Sequence, residues 1–83
     1  MADIFQVYLP GDPKPAATVR AGTLETSNAH LRTVWNARPK LVVGGATARG
    51  VCYTEEREPA TDAERAQAYV DQLRRLGLYV RES

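Results

Sequence analysis

The sequence predicts a small α+β fold, a two-layer sandwich in which an antiparallel sheet of about four to five strands is covered by a C-terminal helix over residues 61–76. Three observations lead there. The clearest apolar stripe at helical spacing occupies the last third of the chain. Short branched and aromatic runs, broken by proline and glycine, fill the rest. At 83 residues there is material for one core, so 1–83 is read as a single domain. A hydrophobic share of 43% beside 25% charged residues sets the chain apart from disordered sequences, so these patterns are taken as folded elements.

Taken in order, the run Ile4 to Leu9 has strand composition and stops at Pro10-Gly11. Asp12-Pro13-Lys14-Pro15 reads as a stiff loop, and Thr18 to Ala21 as a brief second strand. Segment 27–38 fits two periods. Leu31, Val34 and Trp35 have helical spacing, whereas Leu31, Thr33 and Trp35 alternate as in a strand. The reading favoured is a short helix capped by Ser27 and ending before Pro39, whose ring disfavours helix at Arg38. Lys40 to Val43 and Arg49 to Glu55 read as strands flanking Gly44-Gly45, with Gly50 marking a bulge or a close backbone approach.

The C-terminal helix is the most fully signalled element. Thr61-Asp62-Ala63-Glu64 has capping-box spacing, because the Thr hydroxyl can accept from a free amide while the Glu carboxylate reaches back. Ala63, Ala66, Tyr69, Val70, Leu73 and Leu76 then recur at steps of three and four. Asp62 and Glu64 in the first turn and Arg74 and Arg75 in the last suit the helix dipole. Gly77 ends the helix, and Leu78-Tyr79-Val80 follows as a strand.

Charge and cysteine usage narrow the function classes. No apolar run approaches the length of a membrane span, and the start Met1-Ala2-Asp3 lacks the basic and then apolar pattern of a signal peptide, so a cytoplasmic location is expected. A lone Cys52 excludes an intramolecular disulfide and a cysteine-based zinc cage. A net charge of +1 speaks against a dedicated, strongly basic nucleic-acid binder, yet the charge is segregated. Segment 14–49 carries Lys14, Arg20, Arg32, Arg38, Lys40 and Arg49 against Glu25 alone. Segment 55–71 carries Glu55, Glu56, Glu58, Asp62, Glu64 and Asp71 against Arg57 and Arg65.

No catalytic, cofactor-binding or metal-binding constellation emerges. A nucleophile pair would need Cys52 with the only histidine, His30, but Cys52 lies within the apolar pattern Val51-Cys52-Tyr53 and reads as a small buried hydrophobe. Glu55, Glu56 and Glu58 match no calcium loop and read as solvated, or else as an acidic docking patch. Gly44 to Gly50 lacks the ending of a P-loop and a following helix, and reads as a hairpin turn. Arg32, Trp35, Arg38, Lys40 and Arg49 join a large aromatic to several cations, the residue types that dominate binding hot spots. The competing reading puts Trp35 in the core.

With a strand-rich front ending in Val51-Cys52-Tyr53, then the helix Thr61 to Leu76 and the strand Leu78 to Val80, the chain resembles the small stand-alone proteins that phages and mobile elements use against host defence, such as the anti-CRISPR proteins. That resemblance carries over no functional residue. It implies a protein that binds a subunit of a nucleic-acid-guided effector and blocks the surface where DNA must sit. The expectation is therefore a non-enzymatic interaction protein, monomeric or homodimeric, that docks a charged surface on a protein partner. The candidate binding residues are Arg32, Trp35, Arg38, Lys40, Arg49, Glu55, Glu56 and Glu58. The alternative is a small nucleic-acid-binding module using the basic segment 14–49, with Trp35, Tyr8 or Tyr53 as a stacking platform.

Overall fold

Residues 4–20 and 22–82 are described by the structure, a computed structural model. Buried and open positions alternate along β1 (Ile4–Tyr8) and β2 (Ala17–Arg20), as a half-buried sheet requires. β3 (Thr23–Thr26) pairs with β2, and β6 (Tyr79–Glu82) pairs with the other side of β1. The result is a four-stranded antiparallel sheet in the order β3-β2-β1-β6. β3 is absent from the sequence reading because, although its threonines suit a strand, four residues with Leu24 as the one apolar side chain are too short to show an alternating pattern. It is held by pairing with β2, Arg20 lying opposite Thr23, and Gly22 before it takes φ +79. Ala21, the last residue of the predicted second strand, lies outside the described residues.

Both helices lie on one face of this sheet. α1 (Ala29–Asn36) starts at Asn28, whose Oδ1 accepts the Leu31 N–H at 3.1 Å. The expected cap, Ser27, is displaced by one position because Thr26 Oγ1 accepts the Asn28 N–H and fixes that residue at the helix entry. α1 ends before Pro39, with Arg38 in the left-handed region at φ 52. α2 (Asp62–Arg75) has the predicted cap: Thr61 Oγ1 accepts from Glu64 N–H at 3.1 Å, and Glu64 Oε1 accepts from Ala60 N–H at 3.0 Å. At the other end, Leu78 N–H bonds the Leu73 carbonyl and Gly77 N–H the Arg74 carbonyl, a Schellman stop with Gly77 at φ +90.

The core forms where α1 and α2 meet the sheet. Phe5, Val7, Val19, Leu24 and Val80 from the strands enclose Leu31 and Trp35 of α1 and Tyr69, Val70 and Leu73 of α2. Each of these large side chains contributes about 1.5–3 kcal/mol relative to exposure. The edges of the predicted α2 stripe differ: Ala63 and Leu76 are exposed, and Ala68 is buried instead. Leu76 is already the C-cap, where the backbone leaves the helix and carries its side chain off the sheet.

The remaining strands, β4 (Leu41–Ala46) and β5 (Cys52–Arg57), do not join the sheet. They form a separate two-stranded hairpin. Its turn is not at Gly44-Gly45, which lie inside β4. The chain reverses where the Gly50 N–H donates to the Thr47 carbonyl and the Thr47 N–H to the Val51 carbonyl, with Gly50 at φ +81. This is a type I turn followed by a glycine bulge, a geometry for which Gly50 supplies the positive φ. Gly45 is needed for a different reason: the Tyr53 ring lies over it, so close that a Cβ there would meet the phenol at 2.6 Å.

Candidate interaction surface

Among the described residues, the hairpin is left largely without cover. All six residues of β5 are exposed, and the hairpin meets the body chiefly where β4 packs against α2. Leu41 is buried at its base, and Arg57 pairs with Glu64 of α2. Beyond that anchor the ribbon stands off as an arm, in keeping with a long dimension of 46 Å against 26 and 24 Å for the other two.

The edges of the two sheets are treated differently. On β3, the Arg32 guanidinium reaches the Leu24 and Thr26 carbonyls, both at 3.4 Å. On β6, Arg74 reaches the Val80 carbonyl and the Glu82 carboxylate, also at 3.4 Å. A cation over each edge discourages a further strand from pairing there. The arm has no such device: among the described residues, no side chain or loop bonds the outward backbone of β4 or β5. Because backbone groups alternate in direction along an antiparallel pair and Thr47 bonds Val51, the outward groups are those of Val42, Gly44 and Ala46 on β4 and of Cys52, Thr54 and Glu56 on β5. Exposed apolar side chains gather here as well, with Val51 60%, Tyr53 45% and Val43 39% accessible.

The predicted site residues are only partly brought together. Trp35 is 6% exposed and belongs to the core. It meets Tyr69 edge to face at 5.1 Å, and the Arg65 guanidinium lies 4.0 Å over its ring. Burial pushes the Tyr69 hydroxyl up to about 12, with the nearby Arg32 acting weakly the other way, and the hydroxyl donates to the Leu31 carbonyl at 3.0 Å. Arg32 is spent on the β3 edge, Arg38 follows α1, Lys40 precedes β4, and Arg49 sits at the arm's tip. The basic set therefore does not stand on one element, although Arg38 and Lys40 share the connection from α1 to β4. Glu55, Glu56 and Glu58, by contrast, stand together on and just beyond β5, exposed and outside every ion pair of the described residues.

Cys52 corrects the sequence reading: it is exposed at the start of β5. The apolar neighbours that suggested burial, Val51 and Tyr53, are exposed too, because no layer covers this ribbon. His30 lies on α1, and no hydrogen bond joins it to Cys52. Among the described residues, no group of three or more His, Cys, Asp or Glu could hold a metal ion. No helix of the described residues is long and apolar enough to cross a membrane.

A second exposed feature lies on the helix-free face of the four-stranded sheet. Tyr8 and Tyr79 sit opposite each other with ring centroids 5.7 Å apart, and Tyr79 is 65% accessible. They border a groove of about 410 Å³ that continues along Leu9, Pro10 and Pro13. Arg81 and Arg20 alternate onto the same face as these tyrosines. Comparison with family models, with curated proteins and with solved structures finds no match to this chain, so its surfaces are read from their own geometry.

Proposed function

We propose that this chain is a non-enzymatic interaction protein that docks its arm on a larger protein, with β5 as the docking strand and a basic, extended segment of the partner as its complement. The observation that carries the reading is the contrast between edges: arginines reach the backbone at both edges of the four-stranded sheet, whereas among the described residues no side chain bonds the outward backbone of the arm. An open strand offers main-chain hydrogen bonds to an added strand, and alternating side chains set the specificity. Glu55 and Glu56 point to opposite faces of β5, with Glu58 just beyond, so a complementary segment presents Lys or Arg on both of its sides. Surfaces that hold DNA are basic. An acidic strand laid on one offers carboxylates where phosphates would sit, which is how such a protein would block a nucleic-acid-guided effector.

The test is capture from a nuclease-treated bacterial lysate by the tagged protein, run beside the doubly charge-reversed variant Glu55→Lys/Glu56→Lys. A protein retained by the natural sequence and lost with the variant, at unchanged circular dichroism, is the expected outcome. Equal retention by both removes β5 from the site. The Tyr8–Tyr79 pair with Arg20 and Arg81 favours a second reading, in which that sheet face stacks bases of a single strand. Retention of nucleic acid alone, lost on nuclease treatment and falling steeply with salt, would replace docking by this reading.

A further inference from the structure

The other edge of the arm has a different chemistry, and from it we propose that β4 pairs with β4 of a second copy of this chain, joining two arms into one four-stranded antiparallel sheet. An isolated two-stranded ribbon is marginal in water, and three or more strands are needed before such a sheet sustains itself. β4, Leu-Val-Val-Gly-Gly-Ala, contains no charged residue and no proline, so it lacks the two side-chain guards that most often keep edge strands from pairing. β5 instead carries Glu55, Glu56 and Arg57, charges that discourage pairing with a second copy of the same strand.

The register follows from backbone direction. Outward groups must face outward groups, and the alignment that uses all of them places Gly44 opposite Gly44 on the two-fold axis and Val42 opposite Ala46. Val43 then lies opposite Gly45. Every valine thereby meets a small residue. The partner's Val43 lands beside the Tyr53 ring that already covers Gly45, so two of the chain's exposed large apolar side chains cover one another across the interface. β5 stays on the outside of the joined sheet, and each dimer presents two acidic edges. Pairing through β4 stands whether or not β5 is the docking strand.

Gly44 supplies a clean test. It has no positive φ, and a Cβ built there meets nothing within 4 Å, so Gly44→Lys leaves the isolated chain unstrained while placing like charges at the two-fold axis. Light scattering on a sizing column, with reductant present so that Cys52 cannot bridge two chains, should give twice the 9.1 kDa chain mass for the natural sequence. For Gly44→Lys it should give the single-chain mass, with unchanged circular dichroism. A natural chain that stays monomeric at the highest soluble concentration overturns the proposal, as does a dimer that survives Gly44→Lys or that disappears with reductant.

Discussion

At the scale of single residues, Tyr69 shows how one polar atom can tie two helices together. Its side chain has no accessible surface, yet its hydroxyl reaches the Leu31 carbonyl and its ring forms the wall against which Trp35 packs. Tyr69→Phe keeps the ring and removes the bond, so we expect a loss of about 1 kcal/mol in urea unfolding. Alkali acts on the same group. Burial disfavours the phenolate, and the folded value of about 12 stands above the ordinary 10.0. The unfolded chain therefore ionises first: the contribution is intact below pH 10 and is lost as pH rises from 10 to about 12, on the order of 2 kcal/mol. Stability measured across that range should fall less steeply for Tyr69→Phe than for the natural protein. Trp35 belongs to the same account. The sequence offered one large aromatic among cations, and whether such a ring faces solvent or core depends on what lies opposite it, here Tyr69 and Arg65.

At the scale of elements, signals confined to a few neighbouring residues were legible. The cap Thr61 with Glu64, the stripe through Ala66, Tyr69, Val70 and Leu73, and the stop at Gly77 all act within a turn or two of helix, and all appear in α2. Gly50 was read as a bulge or a close backbone approach inside a strand, and it takes its positive φ in the turn just before β5. Contacts between elements were not legible. Gly22 turns β2 into β3 and also receives the Asp62 side chain from the start of α2, with Asp62 Cγ 2.5 Å from where a Cβ would stand. Gly22→Ala is penalised both by φ +79 and by this approach, so we expect it to cost more than 1 kcal/mol. Part of the loss should return when Asp62→Gly is added, a double-mutant cycle that separates the steric part from the backbone part.

At the scale of the whole molecule, the body and the arm should differ in how firmly they hold their amide hydrogens. Phe5, Val7 and Val19 lie in central strands beneath two helices, whereas the outward amides of Cys52, Thr54 and Glu56 have no acceptor among the described residues. Hydrogen exchange should show strong protection for the first set and almost none for the second. The amides of Val42, Gly44 and Ala46 should gain protection as concentration rises, since only pairing of two copies gives them acceptors. If they exchange as fast as those of β5 at every concentration, the arms do not pair.

Periodicity, caps and composition act over a few residues, and they sufficed for the α+β class, the limits of α2, the strands β1 and β2 and the segregation of charge. That Leu41–Ala46 and Cys52–Arg57 leave the sheet as an arm, that Cys52 is exposed, and that Trp35 lies in the core came from tertiary packing alone. The reason is that a strand's place depends on which edges remain open. Here the open edges are set by the pairing of β1 with β6 and of β2 with β3, and the first of these joins segments more than seventy residues apart, beyond the reach of any local pattern.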